Sequence, residues 1–160
     1  MKLSEIKLTP RRLEDLSSIE YSLFTCPLIT WPHMKALVAE FRGECGYGSG
    51  SNADAAFMAG IVKAAQEAWP ASALILDWRQ LEYEWGDEIG KPIDAFGTCR
   101  VDGKNISAPT AVIISDLNRV GLTSLVKQEM GGNTDELLFN SLEEALVAVD
   151  KQAHRIYKTP

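Results

Sequence analysis

Three short apolar runs constrain this chain more than any other feature. Ala73-Leu74-Ile75-Leu76, Ala111-Val112-Ile113-Ile114 and Leu137-Leu138-Phe139 show no polar alternation. A strand with one wet face alternates apolar and polar residues, so a run without alternation reads as a strand buried on both faces, in a sheet covered by helices. Stretches with helical spacing separate the runs. Phe57, Met58, Ile61, Val62 and Ala65 form one apolar face, opened by Ser51 and Asp54 at capping-box spacing and stopped by Pro70. Asp116 can cap a helix carrying Val120, Leu125 and Val126 that closes at Gly131-Gly132. Asn140 with Glu143 can cap a last helix whose face is Leu142, Ala145, Leu146 and Val149.

Ala36 to Arg42 fits either period. Met34, Leu37, Val38 and Phe41 make a helical stripe, whereas Leu37, Ala39 and Phe41 alternate as a strand would. Read as a strand, it completes the order strand, helix, strand, hairpin region, strand, helix, strand, helix. The hairpin signal is Val101-Asp102-Gly103-Lys104. Such alternation predicts an α/β fold, a mainly parallel sheet with helices packed on it. Thr9-Pro10 predicts a short helix through Leu13 and Leu16. The 160 residues suit a single domain over 1–160, with residues 1–35 as an N-terminal extension packed on it.

Charge narrows the partners. The net charge of −6 and pI of 4.9 repel phosphate backbones, which disfavours nucleic acid, and attract a basic patch on another protein. No run reaches the roughly 18 apolar residues of a membrane span, and Met1-Lys2-Leu3-Ser4-Glu5 has no secretory apolar region. Cys26, Cys45 and Cys99 are odd in number and scattered, which fits a reducing compartment and a cytoplasmic protein. They lack the paired spacing of a zinc site, with only His33 and His154 to supplement them, so no metal site is expected.

Two segments carry candidate chemistry. Gly46-Tyr47-Gly48-Ser49-Gly50-Ser51 precedes a helix, where backbone amides attract phosphate. Gly46, Gly48, Ser49, Gly50 and Ser51 are the candidate phosphate-binding residues, with Asp77 beyond the next strand as a ribose ligand. The frame from Gly46 has Ser51 in place of the third glycine, the frame from Gly48 ends in Ala53, which the pattern allows, and in either frame Asp77 lies further on than the ~20 residues of a dinucleotide fingerprint. A flexible connection is the favoured reading of the loop. The second segment interleaves Glu82, Glu84, Asp87 and Glu88 with Tyr83 and Trp85. Paired carboxylates can do acid–base work, but apart from Lys91 no histidine or lysine lies nearby to complete a site. Aromatics set among carboxylates fit a surface facing a basic partner better, with a solvated loop close behind. No residue is assigned a catalytic role and no cofactor is expected.

Ala36 to Val149 resembles, at the level of fold, the STAS domain, the anti-sigma-factor-antagonist family. Phe41-Arg42-Gly43-Glu44 is similar to the family's first strand and its Gly-Glu turn, and Ala73-Leu74-Ile75-Leu76-Asp77 to its central strand. Leu117 with Gly121-Leu122, then Phe139-Asn140-Ser141-Leu142-Glu143-Glu144-Ala145-Leu146, resemble its closing helix, strand and helix. The resemblance implies a non-enzymatic regulator of a partner protein. The family's Asp-Ser-Ser-Gly turn is replaced by Trp85-Gly86-Asp87-Glu88, so the phosphorylatable serine is absent. Asp94 to Ser107 has no counterpart and reads as an inserted hairpin. An immunity-type inhibitor of a toxin fits the same small acidic domain. Two alternatives stay open. Asn52-Ala53, Ala73-Leu74-Ile75-Leu76 and Gly86-Asp87 resemble the first turns of a crotonase, which implies a truncated enzyme acting on acyl-CoA, its oxyanion donors being backbone amides. The other is a small nucleotide-binding sensor using Gly46 to Ser51.

Overall fold

The computed structural model describes residues 2–86, 88–129 and 131–157. Five strands form one mixed sheet. Glu20–Pro27 (β1) runs antiparallel to Lys35–Glu44 (β2). β2 is parallel to Ala73–Glu82 (β3), which is parallel to Thr110–Ile113 (β6), and Leu138–Phe139 (β7) closes the order β1-β2-β3-β6-β7. Thr98–Val101 (β4) and Lys104–Ser107 (β5) form a separate antiparallel hairpin. The helices are Asn52–Ala68 (α1), Gly90–Ile93 (α2), Arg119–Gln128 (α3), Thr134–Leu137 (α4) and Leu142–Ile156 (α5). The chain is thus a single α/β domain with a mostly parallel sheet, as its apolar runs predict.

Burial explains those runs. Leu74, Ile75 and Leu76 are all fully buried. Leu74, Leu76 and Trp78 join the core built with Phe57, Ile61 and Val62 of α1 and Leu122 and Leu125 of α3. Ala73 and Ile75 point the other way, into a second core closed by Ala145, Val149 and Ala153 of α5. Because both faces are covered, neither set of alternate positions can be polar. Asp150 of α5 accepts from the Thr30 backbone N–H at 2.9 Å and from its hydroxyl at 2.7 Å, pinning the helix to the connection between β1 and β2.

Several boundaries differ from the sequence reading. Only a 3-10 turn at Leu13–Asp15 forms after Thr9-Pro10, and residues 2–16 are all exposed, so no packing supports a longer helix there. β1 was not expected, because an edge strand with five of its eight residues exposed carries no strong apolar pattern. Asp77 does not sit past its strand. After a bulge between Glu40 and Arg42, β2 and β3 stay paired as far as Glu44 and Glu82. Leu137 ends α4 rather than starting the last strand. Asn118, not Asp116, holds the cap position of α3. The last helix is capped one residue later than expected: the Ser141 hydroxyl accepts from Glu144 N at 3.2 Å, and the Glu144 carboxylate accepts from Asn140 N at 3.0 Å. The hairpin turn is as expected, with Asp102 and Gly103 both at positive φ, 49° and 76°. No helix among the described residues is long and apolar enough to cross a membrane.

Candidate functional site at the carboxyl ends of the central strands

The glycine loop and the acidic segment form one structure. β2 and β3 end side by side at Glu44 and Glu82, and the chains beyond them stay bonded. Cys45 N donates to Glu82 O at 2.9 Å and Gly48 N to Trp85 O at 3.2 Å. Gly48 has φ +53°, and a Cβ there would lie 2.5 Å from the Trp85 ring, so glycine lets the indole rest on the loop backbone. A Cβ on Gly86 would lie 2.1 Å from the Ser51 hydroxyl oxygen. Tyr83 is buried, and its hydroxyl donates to Gly86 O at 3.1 Å. It props the turn from beneath and presents no aromatic face outward.

The connection from β6 into α3 locks the same layer. Tyr83 N donates to Leu117 O at 3.3 Å, and Gly121 sits so close that a Cβ would lie 2.3 Å from Glu84 O. Asn118 is buried and ties the elements together. Its amide donates to Trp78 O at 2.6 Å and Leu81 O at 2.9 Å, while its oxygen accepts from Ser115 N at 3.1 Å. That is why it makes no cap bond of its own to α3.

Three of the loop amides are engaged within the fold. Gly46 N donates to the Asp54 carboxylate at 2.9 Å, Gly50 N to Tyr47 O at 2.9 Å, and Gly48 N to Trp85 as above. The Ser51 hydroxyl is buried and donates to Gly48 O at 2.8 Å, so Ser51 and Asp54 do not form the expected capping box. Asp54 also accepts from the Ser17 hydroxyl at 2.6 Å. Burial, reinforced by the Asp54 charge, pushes the Cys45 thiol up to about 12. An anion at Gly46, Gly48 or Gly50 would therefore meet an amide already in use, with the Asp54 carboxylate beside Gly46. Ser49 is exposed at the loop's rim. Asp77 lies on the face opposite α1, well inside β3, with both carboxylate oxygens held by Arg79 at 2.9 and 2.7 Å. It cannot serve as a ribose ligand to this loop.

What the layer presents to solvent is aromatic and acidic. Trp85 is 59% exposed and Tyr47 61%. Leu117 and Val120, the latter expected on the buried face of α3, are exposed beside the same backbone. Glu44, Glu82 and Glu84 crowd the strand ends, and the Glu82 carboxyl is raised, first by its hydrogen bond with Glu44 and then by the Glu44 charge. Glu88 pairs with Lys91 at 2.8 Å. Asp87 lies outside the described residues. No group of histidine, cysteine or carboxylate side chains among the described residues could hold a metal ion. The arrangement presents two exposed aromatics and a rim of carboxylates, which can meet a partner surface.

Sequence reasoning found both segments but not their union, and it passed over Tyr47, Leu117 and Asn118. A large aromatic inside a glycine-rich loop was the one available signal for Tyr47. Asn118 had none, because its partners are backbone carbonyls nearly forty residues away. No protein-family model matches this chain, and no curated protein matches it.

Proposed function

We propose that this chain works by binding another protein, as a STAS-like regulator or an immunity-type inhibitor, through the carboxyl ends of β2 and β3. The observation that carries this reading is the exposed pair Trp85 and Tyr47, seated on interlocked backbone and rimmed by Glu44, Glu82 and Glu84. Aromatic side chains are the commonest binding anchors, and one held in place before docking loses little entropy on docking. The carboxylates steer and orient a partner with a basic patch. In an α/β sheet the carboxyl ends of parallel strands, where connecting loops gather, are the usual place for a site.

Two features support the STAS-like reading in particular. The strand ending in Phe41-Arg42-Gly43-Glu44 lies parallel and adjacent to the strand containing Ala73-Leu74-Ile75-Leu76-Asp77. The turn after that central strand, where the family carries its serine, faces solvent at Trp85. With aspartate in place of the serine, the segment keeps a permanent negative charge instead of a phosphorylation switch.

Mass analysis of what copurifies with the full chain from native extract tests the proposal. The expected result is a stoichiometric protein with a basic surface. A bound acyl-CoA or nucleotide with no protein would move the function to the truncated-enzyme or sensor readings.

A further inference from the structure

Another exposed feature lies at the far side of the sheet. β7 ends the strand order, so among the described residues its outer edge has no neighbouring strand. Beside it opens a groove of about 1090 Å³ between α5, α4 and the base of the β4–β5 hairpin. Leu137, Leu138, Phe139 and Val147 supply apolar walls. Five carboxylates, among them Glu136 and Glu143, line it against two cations, Lys151 and Arg155.

The segment 2–16 has the complementary chemistry. Its residues are all exposed, with Leu3 at 85% and Leu8 at 90%. It carries four cations, Lys2, Lys7, Arg11 and Arg12, against three carboxylates, of which Glu14 lies 3.9 Å from Arg12 and only Glu5 precedes Arg11, in a chain that is acidic overall. Where it has no 3-10 turn it is extended, as at Ile6 and Arg12. In an extended chain Ile6 and Leu8 share one face and Lys7 takes the other, the pattern of a strand with one face to bury. A peptide of this kind adds to an open strand edge through main-chain hydrogen bonds, with alternate side chains filling pockets.

We infer that the segment around Ile6–Leu8 of a second copy of this chain docks along β7, its apolar residues in the groove and its cations on the groove's carboxylates. A second copy fits better than the chain's own segment. Ser17 anchors the segment to Asp54 on α1, while the groove lies against α5 and the far edge strand. With strands ~4.8 Å apart, β1 and β7 are about 19 Å apart across the sheet, and the chain's own segment would have to pass around it. Two copies exchanging segments satisfy both surfaces at once and close a two-fold dimer.

Sedimentation velocity of the full chain at low salt tests this, with circular dichroism to confirm folding. The unmodified chain is expected to be a dimer. Leu8→Asp, at a position too exposed to affect the protomer's own fold, should raise the dimer dissociation constant about tenfold or more. The pair Arg11→Glu and Arg12→Glu, or the pair Glu136→Lys and Glu143→Lys, should do the same, and all four changes together should restore the dimer. A monomeric unmodified chain, a dimer that survives Leu8→Asp, or a fourfold variant that stays monomeric would overturn the inference. The surface at Trp85 is separate, so Trp85→Ala should leave the dimer unchanged.

Discussion

At Gly48 and Gly121 the missing Cβ is what lets two pieces of chain touch. Gly48→Ala would force both a left-handed backbone on alanine and an ångström-scale shift of the Trp85 ring, so it should lower stability by about 1–3 kcal/mol in urea unfolding. Gly121→Ala meets the Glu84 backbone, which gives way less easily than a ring, and should cost at least as much. Asn118→Ala removes three hydrogen bonds, two of them to carbonyls of buried residues, for an expected loss of about 3 kcal/mol. Trp85→Ala, by contrast, touches an exposed side chain and should change stability by less than about 1 kcal/mol. Cys45 adds a pH dependence. Its thiol is raised from an ordinary 9.0 to about 12, so above pH 9 the unfolded chain loses a proton that the folded chain keeps. Stability should therefore be complete below pH 9 and fall by up to about 1.4 kcal/mol per pH unit through this window. Tyr157, raised by burial and by its contact with Cys99 from 10.0 to about 12, adds to the fall above pH 10. Cys26, raised by burial from the same ordinary value, contributes in the same direction, so unfolding of Cys45→Ala across this range should show a shallower fall than the unmodified chain.

Among the elements, the β4–β5 hairpin is the least supported. Among the described residues it pairs with no strand of the main sheet, and every residue of β5 is exposed. Two isolated strands are marginal in water, so amides in 98–107 should exchange with solvent well before those of β3. Gly103→Val, at φ +76°, should remove what protection the hairpin has while leaving the global unfolding midpoint nearly unchanged. The same contrast decides what could be read from sequence. β3 and β6 were readable because burial on both faces strips them of polar residues, and α1 because its apolar face repeats with the helical period. The β4–β5 turn was readable because Asp-Gly suits two successive positive φ angles. β1 was not, since an edge strand needs no apolar pattern and draws its bonds from β2. Ser51 and Asp54 had the spacing of a cap, but the carboxylate found the Gly46 amide and the Ser17 hydroxyl instead. The candidate site was half readable for the same reason. Its segments announce themselves by composition, whereas their contact at Gly48 and Trp85 depends on the parallel register of β2 and β3.

For the whole molecule, the fold sets an aromatic and acidic surface at one end of the sheet and keeps it stiff through bonds from three separate stretches of chain. A net charge of −6 adds a long-range pull on basic partners. Association should therefore slow as salt rises, and Glu84→Lys should both slow it and weaken that salt dependence. The most direct test of the account is partner retention by the full chain and its Trp85→Ala variant, measured side by side from the same native extract. The account expects the variant to keep its melting temperature and to lose roughly 2 kcal/mol or more of binding, which would leave the partner largely unretained. A folded Trp85→Ala protein that retains the partner as fully as the unmodified chain would contradict it.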